Sequence, residues 1–330
     1  MKNKYNIRNT IDLASPLIGT KVVKFSDQFF APAKRILNPA PPVFKENVFD
    51  RHGKWMDGWE TRRRRGGGDN DFIVIKLGKP GKIKIIDLDT SFFNGNQPEY
   101  AQVEGCFSKK NLLNKVKWIK ISQKIKIKPN NNNIFKSIST KTFNYIRLNI
   151  YPDGGVARLR LFGNIDLSFQ KKISKKNIDL ASIKNGSLAI ACSDEHFGNS
   201  NNILLPGKSK NMGNGWETKR RRGKGYDWVI IKLGQIGIPN SFEINTHYFK
   251  GNYPEYFTIQ AHNLEKSQSI KSIINNSKNW LSIIDKQKLK PNSSYKIKLN
   301  KKFYKKFNYI KLNIYPDGGI SRFRVFGKIA

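Results

Sequence analysis

Apolar and polar positions along this chain alternate in short runs. In "NYIRLNIYPDGG" (144–155), Ile146, Leu148 and Ile150 are separated by Arg147 and Asn149. That period of two predicts a half-buried strand. The turn Pro152-Asp153-Gly154-Gly155 follows, combining a fixed φ, a carboxylate that bonds its own turn, and tolerance of positive φ. Beyond it, Ala157, Leu159 and Leu161 face one way, Arg158 and Arg160 the other. "DFIVIKLG" (71–78) and "DWVIIKLG" (227–234) are β-branched apolar runs closed by glycine, as expected of buried strands. Long windows with the period of an amphipathic helix are absent. The pattern predicts an all-β fold, a sandwich or jelly roll of short strands and turns.

The pattern also repeats. "NYIRLNIYPDGGVARLRLFG" (144–163) returns as "NYIKLNIYPDGGISRFRVFG" (308–327), with 15 of 20 positions identical. "GWETRRRR" (58–65) returns as "GWETKRRR" (215–222), "FNGNQPEY" (93–100) as "FKGNYPEY" (249–256), and "SDQFF" (26–30) as "SDEHF" (193–197). The order is kept, and the main insertion is the Pro-rich stretch 38–55 of the first copy. Self-similarity at this period predicts one domain duplicated in tandem, 1–170 and 171–330, joined through a polar, lysine-rich boundary.

Charge widens the choice of partners before chemistry narrows it. The 330 residues carry 61 Lys+Arg against 24 Asp+Glu, a formal net charge of +37. Such a chain attracts anions, whether nucleic acid, acidic membrane or a small substrate. Lysine and asparagine crowd loops such as "KPNNNNIF", which reads as compositional drift, whereas arginines cluster in a few short stretches. "RRRRGGGDN" has the look of an RGG tract, but its second copy lies between strands, so a folded connection is the better reading and no nucleic-acid partner is expected. Two cysteines, Cys106 and Cys192, offer neither a disulfide framework nor a zinc spacing. The N-terminal stretch lacks an apolar core of signal-peptide type and no run approaches 18 apolar residues, so a cytoplasmic protein without a membrane partner is expected. Walker A, HExxH and nucleophile-elbow motifs are missing.

Candidate chemistry lies in residues common to both copies and in a few that differ. Glu60 and Glu217 follow Trp59 and Trp216 beside arginine clusters. They read either as strand-edge acids or as acids whose pKa the arginines lower. Asp153 and Asp317 read as Asx-turn residues or proton-transfer groups, while Arg158 and Arg322 could pair with them or grip a substrate carboxylate bidentately. Arg64 and Arg221 are further carboxylate candidates, and Asn96 and Asn252 suit the hydrogen bonds of an amide or urea group. Between the copies, Asp57 becomes Asn214, Asp89 becomes Asn245, Ser91 becomes His247 and Phe29 becomes His196. His247 is thus an acid–base candidate, and Glu195, His196 and His247 could hold a divalent metal if the fold joins their loops.

These strings together resemble the allantoicase family. The resemblance is carried by "KWMDGWETRRRR" (54–65), "IDLDTSFFNGNQPEY" (86–100), "CSDEHFG" (192–198), "LLPGKSKNMGNGWETKRRRGKGYDWVIIKLG" (204–234), "INTHYFKGNYPEY" (244–256) and both "NIYPDGG" blocks, and it spans nearly the whole chain. Asn245 departs from it, standing where an Asp is expected. The resemblance implies two tandem galactose-binding-like jelly-roll β-sandwich domains. It implies hydrolysis of allantoate to (S)-ureidoglycolate and urea in allantoin (purine) degradation, and a homo-oligomer, trimer or hexamer; no cofactor is fixed by it, and a divalent metal ion stays open. Allantoate carries one carboxylate and two ureido groups on one carbon. Such a substrate asks for an arginine (Arg158/Arg322 or Arg64/Arg221), an amide (Asn96/Asn252) and a proton-transfer group (Glu60/Glu217, Asp153/Asp317 or His247). The competing reading is a non-catalytic jelly roll binding a carbohydrate or another small ligand.

Overall fold

The computed structural model describes residues 7, 9–64, 69–109, 115–169, 176–266 and 268–330. Arg65 and the glycines Gly66, Gly67 and Gly68, read above as part of a folded connection, lie outside them, as does part of the lysine-rich boundary. Contacts divide the chain into two compact units, Met1–Asp166 and Leu167–Ala330.

The first unit is organised by one long strand, Asp71–Asp89, which changes partners along its length. Its first part lies between Lys21–Phe25 and Thr142–Tyr151, its last part between Asn132–Lys136 and Arg158–Ile165. Tyr100–Cys106 extends the first layer and Ile11–Asp12 the second. All these pairings are antiparallel. The changeover falls at Lys79-Pro80-Gly81, where proline offers no N–H to a ladder. Between the layers Ile73, Ile75, Ile86, Leu88, Leu148, Ile150, Leu159 and Leu161 are fully buried. Each contributes roughly 1.5–3 kcal/mol against exposure. The second unit repeats the design: Asp227–Asn245 pairs with Leu188–Cys192 and Phe307–Tyr315, then with Ser294–Lys298 and Arg322–Ile329. The protein is all-β, two jelly-roll sandwiches in tandem.

Two features depart from the simple period. Tyr145 and Asn149, on the face opposite Ile146 and Leu148, are also buried. Val116 and Trp118 pack over that face in the first unit. In the second, the helix Ile270–Asn276 covers it with Ile273, and Trp280 joins the cluster. Both strands are therefore covered on two sides. No helix among the described residues is long and apolar enough to cross a membrane.

Candidate active site

Four loops meet at the same end of each sandwich. The tryptophan fixes the first contact. Trp59 and Trp216 are fully buried, and their Nε1 groups donate to the carbonyls of Asp27 (2.8 Å) and Asp194 (2.7 Å). The following acid is held by a two-residue strand: Trp59–Glu60 pairs with Gly155–Val156, and Trp216–Glu217 with Gly319–Ile320. This brings the "GWET" strand against the "YPDGG" turn, which begins with a cis peptide bond at Tyr151–Pro152 and Tyr315–Pro316. The turn in turn seats on the "GN" loop. Gly155 N donates to Asn96 O and Gly319 N to Asn252 O, each at 2.7 Å.

Within this cluster the acid and the amide meet. Asn96 Nδ2 donates to Glu60 Oε1 at 2.8 Å, and Asn252 Nδ2 donates to Glu217 Oε1. In the first unit a cavity of about 530 Å³ opens over the pair, walled by Phe29, Phe30, Arg63, Asn96 and Asp153. The sequence reading that arginines lower the pKa of Glu60 is corrected here. Burial raises it, outweighing the Asn96 hydrogen bond and the charge of Arg63. A glutamate held high in this way keeps its proton nearer neutrality, which suits proton transfer.

The arginines are assigned differently from the sequence expectation. Arg64 leaves the cavity: its N–H donates to Asp153 Oδ2 (2.7 Å) and its guanidinium to Asp71 (2.8 Å). Arg221 does the same with Asp317 and Asp227. Asp71 is only 2% exposed and also accepts from Ser26 (2.7 Å). Burial opposes its ionisation, but hydrogen bonds from Arg64, Ser26 and Thr61 and the charge of Arg64 hold its carboxyl below the usual value. Asp153 and Asp317 are thus loop-to-loop acceptors, spanning 89 and 96 residues, rather than bonding within their own turn.

Arg158 and Arg322 are not in the cluster at all, and their expected grip on a substrate carboxylate is corrected. Arg158 is 1% exposed and all its N–H directions meet protein oxygens: the carbonyls of Ala40, Pro41, Asp57 and Ala157, and the Asp57 carboxylate at 2.6 Å. Arg322 binds the carbonyls of Asn202, Gly207, Lys208, Asn214 and Ser321. Burial, then the charge of Arg324, pushes Arg322 down to about 10. Both are anchors for the loop preceding "GWET".

The metal set is not assembled. Glu195 spends its carboxylate on Asn199 Nδ2 and on the N–H and hydroxyl of Ser200. His196 is exposed and stacks edge-on with Phe197 (4.5 Å). His247 is half-buried after the strand Asp227–Asn245 and makes no hydrogen bond to Glu217, Asn252 or Asp317 among the described residues. No cluster of three or more His, Cys, Asp or Glu that could hold a metal ion occurs among the described residues. The donor set, as placed, does not fit a divalent ion.

Sequence reasoning missed three groups. Arg63, with Arg62 beside it, lines the cavity, while Arg64 is drawn away to Asp71. Asp27 accepts from Arg62 N (2.7 Å) and pairs with its guanidinium, as Asp194 accepts from Lys219 N (2.7 Å). Asp71 and Asp227 hold Arg64 and Arg221. All sat in strings shared by the copies ("SD", "DFIVIKLG"), and that repetition was the available signal.

Both halves of the chain are similar to known proteins. The allantoicase repeat matches residues 11–166 and again 178–330. A probable allantoicase from Acinetobacter baumannii is 44% identical over 319 residues, 97% of this chain and 94% of that protein. One from Acinetobacter baylyi is 42% identical over 324 residues, covering 98% and 96%. The crystal structure of allantoicase from Saccharomyces cerevisiae matches with a TM-score of 0.80 at 32% identity, covering 97% of this chain and 93% of that one. With both repeats matched in order and the two-sandwich architecture in common, this chain belongs to the allantoicase family.

Proposed function

We propose that this chain is a hydrolase of a non-peptide C–N bond, converting allantoate and water to (S)-ureidoglycolate and urea. The supporting observation is the acid–amide pair, Glu60 with Asn96 and Glu217 with Asn252, built by the same loops in both repeats of a family member. Allantoate presents to it one carboxylate and two ureido groups. Arg63, and Arg220 at the matching position, supply the charge for the carboxylate. The amides of Asn96 and Asn252 bond a ureido group; a site built around such bonds discriminates against analogues lacking them. Glu60 and Glu217 exchange protons with the reacting groups. The enzyme acts in the cytoplasm as a homo-oligomer, a trimer or hexamer, a reading supported by the family resemblance.

The test is direct. Purified protein is given allantoate, and urea and ureidoglycolate are measured. We expect equimolar release, and a loss of at least about 100-fold in kcat for the double variant Glu60→Gln/Glu217→Gln. A folded wild-type protein that releases no urea, or a double variant within a factor of two of it, overturns the assignment.

A further inference from the structure

The two repeats build the same loop cluster, but one wall residue differs in kind. Phe29 and His196 occupy equivalent places by the contacts that fix their loops. Phe29 N donates to Asp27 Oδ2 (3.3 Å), and His196 N donates to Asp194 Oδ2 (3.2 Å). The same carboxylate oxygen accepts from Arg62 N in one repeat and Lys219 N in the other. Two residues on, Ala31 bridges to Glu60, and Gly198 to Glu217. Phe29 meets Phe30 edge-on at 5.0 Å, and His196 meets Phe197 edge-on at 4.5 Å. Phe29 walls the cavity over Glu60 and Asn96. The equivalent wall over Glu217 and Asn252 therefore carries an imidazole.

We infer that His196 is a catalytic residue of the second repeat, the proton donor to the departing urea, with Glu217 as the base toward water. This rests on the reading of the chain as hydrolysing allantoate. The reaction needs both an acid and a base, because urea nitrogen must gain a proton as it leaves and water must lose one as it adds. His196 as imidazolium gives its proton to the ureido nitrogen attached to the central carbon. The C–N bond breaks with its electron pair going to that nitrogen, and urea leaves. The lone pair of the remaining ureido nitrogen holds the carbon as an iminium. Water adds to the carbon, forming the C–O bond and returning that pair to nitrogen, and Glu217 takes the released proton. Transfer of that proton from Glu217 to His196 through solvent restores both groups.

The ring of His196 is exposed, stacked edge-on on Phe197. The charged groups on the elements packed around it are Asp194 and Glu195 on its own turn, Glu217, Lys219, Arg220 and Arg221 on the facing strand and its extension, Asp317 on the turn beyond, and Asp227 behind Arg221. The first repeat has an imidazole near Phe29 too, yet both of its nitrogens are engaged. His52 Nδ1 faces Phe29 O at 2.7 Å, and Nε2 accepts from Arg51 Nε at 3.2 Å. It is tied as a structural link, while the second repeat presents a ring able to give and take a proton.

The experiment uses the full chain, allantoate as substrate, and His196→Phe and His196→Gly each made in the Glu60→Gln background, so that kcat reports the second repeat, with folding checked by circular dichroism and melting temperature. His196→Phe copies the first repeat's own residue, so the loop has a precedent for it. Relative to the Glu60→Gln parent, we expect both variants to lose about 100-fold or more in kcat with KM within threefold, and a Glu60→Gln parent that is itself without activity overturns the inference. We expect added imidazole to restore part of the activity of His196→Gly but not of His196→Phe, whose ring fills the space. Retention of kcat within threefold by His196→Phe overturns the inference, as does a folded His196→Gly variant that imidazole leaves unchanged. If the wild-type protein releases no urea from allantoate, it is the functional assignment that falls, and the two failures are distinct.

Discussion

At the scale of single residues, the pair Arg158 and Arg322 shows how one amino acid in one motif carries different energetics. Arg158 is neutralised by Asp57, itself only 8% exposed. In the second repeat Asn214 stands at that position, and Arg322 rests on carbonyls with no carboxylate beside it among the described residues. Removing one partner of a buried ion pair strands the other charge, which costs about 3–5 kcal/mol. Removing Arg322 strands only carbonyls, at about 1–3 kcal/mol. Arg158→Ala should therefore destabilise more than Arg322→Ala, measured by urea denaturation, and Asp57→Asn in the Arg158→Ala background should recover about 1–2 kcal/mol by discharging the stranded acid. Equal losses in the two repeats, or no recovery, would show that the Asp57 charge is not what Arg158 is there to meet.

At the scale of elements, the turn is what the site depends on. Gly154 and Gly318 have φ of +135° and +129°, and a Cβ there would meet backbone: Pro98 N at 2.6 Å in the first repeat, Asn252 O at 2.7 Å in the second. Gly318→Ala should both strain the turn and push it off the loop bearing Asn252. We expect a stability loss of about 2 kcal/mol or more, together with a raised KM for allantoate as Asn252 moves from Glu217. An alanine variant with unchanged KM would separate the turn from the site.

Much of this element was legible beforehand. The alternation of Ile146, Leu148 and Ile150 and the chemistry of "PDGG" gave the strand and turn, because local sterics and burial on one face decide both. The coverage of the other face was not legible, since Trp118 and Trp280 reach it from distant, divergent segments. The same limit applied to the arginines. Spacing shows that Arg158 and Arg160 share a face. Only the fold shows that this face is closed by the loop bearing Ala40, more than a hundred residues away. The acid–amide pair was legible as two separate repeated residues and became a site once the "GN" loop was seen beneath the turn.

At the scale of the molecule, the charge divides by residue type. Arginines are spent on ion pairs within and between loops and strands: Arg62 with Asp27, Arg64 with Asp71, Arg147 with Glu104, Arg158 with Asp57, Arg221 with Asp227 and Arg324 with Asp179. The excess of +37 is carried largely by lysines at exposed positions such as Lys120, Lys136, Lys250 and Lys305. Such a surface draws in an anion from a distance but makes no contact with it at the reacting carbon. Screening acts on the approach and not on the chemistry, because the Debye length shrinks to about 8 Å at 0.15 M salt. For a substrate with a single carboxylate the effect is modest. We expect kcat/KM for allantoate to fall about threefold between roughly 20 mM and 500 mM sodium chloride, with kcat unchanged, in steady-state assays at fixed pH. A fall in kcat at constant KM would instead place the salt effect on the paired groups of the site, such as Arg64 with Asp71. A kcat/KM flat across the range would mark the lysine excess as composition without a part in capture.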